Sequence, residues 1–273
     1  MPELPEVETV RRALALQLSG RRITAVRGRS VAMRRPLRVE QLEAVLPGRR
    51  LVEPRRRGKY LLLDLEPPGA VLCHLGMSGR LTLADSAAPL LPHTHVRLAM
   101  DDGRELRFVD PRRFGLMVWL APGTEAADPS LRALGMEPLE PGLESVLPPL
   151  LKARRAPLKS LLLDQRLVAG IGNIYAAEAL WRAGLRPSRL GCNTALVRLE
   201  RLAREVRVVL EEAVEQGGTT IRDYATPEGN FGYFAVRLAA YGRQGKPCRR
   251  CGAALRADVL GGRTTAWCPG CQR

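Results

Sequence analysis

Near the C-terminus, Cys248, Cys251, Cys268 and Cys271 stand as C-x2-C, sixteen residues, C-x2-C. No other feature restricts the fold so tightly. Pairs at this spacing put four thiolates on two tight turns, the donor set of one structural zinc ion. A module this small has too little core to fold without its metal. Disulfides and a redox pair compete with zinc; a reducing compartment disfavours the first, and two facing knuckles argue against the second. Between the knuckles, LRADVLGGRTTAW reads as strand, Gly261-Gly262 turn and strand, which places Arg263 beside the tip of a zinc-bound hairpin. An arginine there either grips a groove or phosphate or is a plain exposed charge. Cys73 and Cys192 carry no pairing signal.

Forty-three Lys and Arg face 28 Asp and Glu, a net charge of +15. Only Lys59, Lys152, Lys159 and Lys246 are lysines. Codon bias explains arginine in place of lysine but not the excess of cations over acids. The excess points to a polyanionic partner, most simply nucleic acid. The start is acidic and amphipathic, unlike a secretory leader, and no stretch reaches membrane-spanning length. The expectation is a cytoplasmic monomer with no membrane partner.

Apolar residues at Leu4, Val7, Val10, Leu14 and Leu18 have helical spacing, and Gly20 stops the helix. From Arg22 to Leu120 the texture is mostly strand. Val96, Leu98 and Met100 alternate with polar neighbours, Asp102-Gly103 turns the chain, and Leu106 and Phe108 alternate on the return. His93, His95 and Arg97 are expected on the opposite face of that strand. Past Pro138, Pro141, Pro148 and Pro149 the texture turns helical. One helix carries Leu196, Leu199, Leu202, Val206, Val209 and Ala213 and ends at Gly217-Gly218. LLLDQRLVAGIGNIYAAEALW reads as helix, turn, helix, with Asn173 as N-cap of the second helix. Its free N–H groups form either an anion site or a plain capped hairpin.

HLGMSGR sets Met77 among glycines. DPRRFG puts Arg112, Arg113 and Phe114 in a turn after a strand. A protein that extracts a base from duplex DNA needs such an apolar wedge and a polar group for the orphaned partner. The bland alternative makes Met77 and Phe114 core plugs and the arginines solvated.

The opening MPELPE is explained in part by helix capping, since proline and acids suit a first turn. Removal of Met1 would also leave Pro2 with a free secondary amine. An α-amino group has a pKa of roughly 7.7–8.0, so part of it is neutral and nucleophilic near neutrality. Attack on a sugar C1′ gives an iminium ion that acidifies the C2′ hydrogen and opens a route to strand cleavage. On this reading Pro2 is the nucleophile, Glu3 the acid that protonates the opening sugar, and Glu6 its support.

PELPEVET, RRGKYLL, HLGMSGR, DPRRFG, LLLDQ with GIGNIYAAEAL, and GGRTT with CPGCQ together resemble the formamidopyrimidine-DNA glycosylases, in that family's order along the whole chain. The resemblance implies an α+β multidomain fold: an N-terminal catalytic β-sandwich with flanking helices (1–135), a helix–two-turn–helix domain (136–222), and a base-covering loop region with a zinc-finger hairpin (223–273). It implies a bifunctional base-excision repair enzyme acting on double-stranded DNA that contains damaged bases. Such an enzyme excises 8-oxoguanine and ring-opened purines and nicks the strand by β,δ-elimination. It implies Lys59 as donor for β-elimination and Arg263 for δ-elimination. His93, Arg112, Arg154 and Asn173 would contact phosphate or base, and Met77, Arg112 and Phe114 would fill the gap left by the flipped nucleotide. An endonuclease VIII-type glycosylase for oxidised pyrimidines is the nearest rival, disfavoured by Leu4, Met77 and DPRRFG. A non-catalytic zinc-ribbon DNA-binding protein would fit the tail and charge but leave Pro2, Glu3, Glu6 and Lys59 unexplained.

Overall fold

A computed structural model describes residues 2–219 and 238–273. The expected base-covering loop, within 219–238, lies almost wholly outside the described residues. The described residues form two compact units, one of 2–132 with 217–219, the other of 133–216 with 238–273.

The first unit begins with α1 (Leu4–Leu18). Its stripe Leu4, Val7, Val10, Leu14 and Leu18 is fully buried. Burial contributes about 1.5–3 kcal/mol per side chain. Then follow β1 (Ile23–Gly28), α2 (Val39–Val45), β2 (Arg50–Arg57), β3 (Tyr60–Glu66), β4 (Ala70–His74), β5 (Arg80–Asp85), β6 (Thr94–Met100), β7 (Arg104–Val109) and β8 (Leu116–Leu120). The strands make two antiparallel four-stranded sheets, ordered β1-β6-β7-β5 and β2-β3-β4-β8. Val96, Leu98 and Phe108 of one sheet share a core with Leu61, Leu63 and Val71 of the other. That is the expected β-sandwich, with the short α2 set into a stretch whose texture had read as strand.

One expectation fails in detail. His93 precedes β6 in a left-handed conformation (φ 66°), and a register shift between Thr94 and Val96 interrupts the alternation. His95 is consequently buried rather than displayed beside His93, while Arg97 pairs with Glu105 at 3.5 Å. A bulge turns the side chains that follow it, so period-two counting breaks there.

The second unit holds α3 (Leu143–Lys152), α4 (Leu158–Leu163), α5 (Asn173–Ala183) and α6 (Leu196–Glu215), then the hairpin β9 (Arg256–Leu260) and β10 (Arg263–Trp267). Pro148 and Pro149 lie inside α3, so the helical region starts earlier than the prolines suggested. They remove two intrahelical donors from that helix. As expected, α6 stops just before Gly217 and Gly218, both at positive φ. No described helix is long and apolar enough to cross a membrane.

Candidate active site and nucleic-acid interface

Pro2, Glu3 and Glu6 are all buried at the start of α1. Glu3 is the N-cap, and Glu6 Oε2 accepts its backbone N–H at 2.8 Å, half of a reciprocal capping box. The capping account of MPELPE is therefore correct as far as it goes. It leaves a second fact over. Glu6 Oε1 also accepts the Thr219 backbone N–H and hydroxyl at 2.8 and 2.9 Å, so one carboxylate joins the chain start to a residue far along the sequence.

Lys59 is buried in the turn between β2 and β3. Two contacts fix α1 along β2: Arg11 Nη1 donates to the Pro54 carbonyl at 3.3 Å, and Arg56 pairs with Glu8 at 3.2 Å. These contacts step toward the helix start as they step toward the strand end. Glu3, just before α1, and Lys59, in the turn just past β2, lie further in that same direction. His74, opposite Tyr60 in the ladder, is held neutral, its pKa pushed down to about 3 by burial and by the charges of Arg34 and Lys59. Its Nδ1 accepts the Gly76 N–H at 2.8 Å and so shapes the turn that carries Met77.

Met77 and Phe114 are 42% and 47% exposed, so neither plugs the core. The Arg112 guanidinium lies 4.8 Å from the Phe114 ring centroid. Arg113 sits at φ 57°, which turns the chain and leaves the three side chains 112–114 in solvent. The two loops pack directly on one another: a Cβ on Gly76 would lie 2.4 Å from the Phe114 carbonyl carbon, in a backbone at φ 63°. With Ala32, Met33 and Arg34 they line a cavity of about 600 Å³.

In the second unit α5 begins at Asn173, but its N-cap is Gly172, not Asn173 as the sequence suggested. The Asn173 side chain instead donates from Nδ2 to the Thr264 carbonyl at 3.3 Å, tying the helix start to β10. A glycine N-cap leaves room at the helix start, and the side chain moves to a tertiary partner. Arg154 is half-buried, with Nη1 on the Leu150 carbonyl at 2.7 Å. Gly261 (φ 58°) and Gly262 (φ 70°) close the β9–β10 hairpin, and exposed Arg263 starts β10. Both positive φ values are those of a type I′ turn.

The four tail sulfurs lie within 4.8 Å of one another, with Cys251–Cys268 at 3.4 Å and Cys248–Cys271 at 4.0 Å. Sulfurs about 2.3 Å from a tetrahedral zinc are about 3.8 Å apart, so the cluster fits the ion closely. Burial and the neighbouring sulfurs push the Cys271 thiol up to about 12. The core around it is small, chiefly Leu255 and Trp181 with the cysteines.

Sequence reading missed several polar groups that organise these elements. Fully buried Lys159 donates to the Thr265 hydroxyl, beneath the hairpin that carries Arg263. Buried Glu178 accepts the backbone N–H groups of Ala239, Ala240 and Tyr241 at 2.8–2.9 Å. Buried Asp110 holds the DPRRFG turn. A buried charge among apolar neighbours, as Lys159 in LKSLLL, is the only signal the sequence offers for them.

Large apolar and cationic side chains displayed on rigid turns are the features of an interaction surface, and a net charge of +15 suits a polyanion. With the paired helices and the four-cysteine hairpin, this defines a zinc-finger, helix–two-turn–helix protein of nucleic-acid chemistry. Family models agree: the formamidopyrimidine-DNA glycosylase N-terminal domain matches residues 1–117, the H2TH domain of the same enzymes residues 134–225, and the zinc finger found in FPG and IleRS residues 245–273. A formamidopyrimidine-DNA glycosylase of Stenotrophomonas maltophilia is 47% identical over 274 residues, covering all of both chains. The solved MutM (Fpg) protein of Thermus thermophilus superposes with a TM-score of 0.89 at 43% identity, over 99% of this chain and 98% of that one. A Lactococcus lactis Fpg (MutM) in complex with DNA containing N7-benzyl-Fapy-dG gives 0.92 at 31% identity, over the full length of both. The chain belongs to the formamidopyrimidine-DNA glycosylase family.

Proposed function

We propose that the protein is a bacterial base-excision repair enzyme that removes oxidised purines from duplex DNA and nicks the strand at the same site. One observation carries this reading furthest: Pro2 and Glu3 are buried and held at a capped helix start, the placement a terminal nucleophile and its acid require. After loss of Met1, the Pro2 nitrogen attacks C1′ of the flipped nucleotide as the glycosidic bond breaks and the base leaves with the electron pair. Glu3 protonates O4′ as the ring opens to the iminium ion. The iminium accepts the electrons released when C2′ loses its proton, and the 3′ phosphate leaves; a second elimination releases the 5′ phosphate. Lys59 serves the first elimination and Arg263 the second. Glu6 holds Glu3 in place. Met77, Arg112 and Phe114 fill the gap in the stack, while His93, Arg154 and Asn173 grip the backbone or a base. We read the chain as three domains, 1–135, 136–222 and 223–273, working as a cytoplasmic monomer on nucleoid DNA with one structural zinc.

Duplexes carrying either 8-oxoguanine or an oxidised pyrimidine test the substrate class. Cleavage of the purine lesion in preference is expected; preference for the pyrimidine would assign the endonuclease VIII-type activity instead. Binding without cleavage, and without borohydride-trapped adduct, would leave only a zinc-ribbon binding protein.

Arg112 is a multi-donor cation with no acceptor. Cytosine offers O2 and N3 on its Watson–Crick edge, whereas adenine flanks N1 with a donor. Arg112→Ala is therefore expected to narrow the excision preference for 8-oxoguanine paired with cytosine over adenine by about 1–3 kcal/mol, read as a ratio of single-turnover rates. An equal loss with both partners would limit Arg112 to gripping the backbone.

A further inference from the structure

The loops of the first unit that would meet DNA share one buried group. Asp110, fully buried at the end of β7, accepts the Ser78 hydroxyl at 2.9 Å and the Arg112 N–H at 3.3 Å on Oδ1, and the Gly115 N–H at 2.8 Å on Oδ2. Its own N–H donates to the His93 carbonyl at 3.1 Å, and its carbonyl accepts from His95 Nε2 at 2.9 Å. Ser78 is next to Met77, while Arg112 and Gly115 bracket the turn that ends in Phe114. Met77, His93, Arg112 and Phe114 thus all hang from Asp110, although they come from three separate loops.

We infer that Asp110 is a positioning residue for the reading of the orphaned base. Through Ser78 it sets Met77 against Arg112 and Phe114 before DNA arrives. The inference rests on the wedge reading above and adds what fixes the wedge. A flexible wedge must be ordered during base extraction, and that ordering opposes insertion. A wedge already held by a carboxylate with three donors is inserted without it, and its Arg112 arrives in register with the orphaned base. The charge matters as well as the shape. A carboxylate accepts at both oxygens, whereas the amide of asparagine must turn its NH2 toward either the Gly115 N–H or the Ser78 and Arg112 donors. One loop then loses its acceptor. Ser78 makes the only side-chain bond described between the 76–79 turn and Asp110, so Ser78→Ala removes that bond and leaves those within the DPRRFG turn intact.

The test compares wild type, D110N, S78A and R112A by single-turnover excision of 8-oxoguanine opposite cytosine and opposite adenine. Borohydride trapping on a preformed abasic duplex, where no base need be extracted, is the control. D110N is expected to lower the cytosine-to-adenine rate ratio about tenfold, the effect of one charged hydrogen bond, and S78A to lower it less. Trapping should remain near wild type in both. Combining S78A with D110N should cost less than the sum of the two separate losses, because both act on the bond between Ser78 and residue 110. If S78A and a folded D110N keep the wild-type ratio while R112A loses it, the positioning role is overturned and the wedge reading stands. If R112A keeps the ratio too, the wedge reading itself fails. Should D110N not fold, S78A decides: an unchanged ratio overturns the proposal. Equal losses of excision and of abasic trapping would mean that Asp110 only maintains the fold, which also overturns it.

Discussion

Pro2→Gly lowers strand cleavage at a lesion by at least about a hundredfold in the expected outcome, the size of effect that misplacing a reacting group by 1 Å can have. Two physical losses combine. The buried pyrrolidine ring of Pro2 packs its nitrogen at the capped start of α1, whereas glycine has no ring to hold that position. A secondary amine also forms an iminium that is permanently charged, while the primary amine of glycine gives an imine that must first be protonated. Glu3 and Glu6 keep their capping bonds in this variant, so duplex binding should persist. Borohydride trapping and single-turnover cleavage read the loss. Wild-type values for both would end the assignment of Pro2 as nucleophile. Any tag retained on the N-terminus should be worse still, because an amide nitrogen has no lone pair to offer.

Cys251→Ser is expected to empty the second unit's metal site. Metal analysis should find well under one zinc per chain, and affinity for duplex DNA should fall at least about tenfold, the worth of one charged contact. The reason lies in the size of the hairpin's own core. Beyond the cysteines only a few apolar residues cover it, so metal binding, about 10–16 kcal/mol in comparable modules, is its folding energy. Without it β9 and β10 lose their frame, Arg263 loses its fixed position, and the bond from Asn173 to the Thr264 carbonyl loses its acceptor. The β-sandwich has a large core of its own and should keep its thermal transition. Full zinc content with unchanged DNA affinity in the variant would refute the structural role of the four cysteines.

Features with short-range causes were legible in the sequence. The zinc cluster follows from ligand spacing within each knuckle. The α1 stripe follows from helical periodicity, and its capping box joins residues three apart. The β6–β7 hairpin follows from alternation around Asp102-Gly103. Resemblance supplied Lys59 and Arg154, whose positions no local pattern singles out.

What only the tertiary structure decided are the partners of buried polar groups. Asp110 and Ser78 are 32 residues apart, Lys159 and Thr265 106, and Glu6 and Thr219 213. A buried carboxylate or ammonium must be satisfied, but its sequence does not say by which donor or acceptor, because that depends on which segments the core brings together. The same limit hid the bulge that moves His93 off its strand and the Gly172 cap that frees Asn173 for Thr264. The sequence by itself determined which chemical groups the protein has and the local elements that carry them. Their arrangement, with the capped start of α1 tied to Thr219 and the 76–79 turn tied to Asp110, was decided by long-range hydrogen bonds between segments that only the folded core brings together.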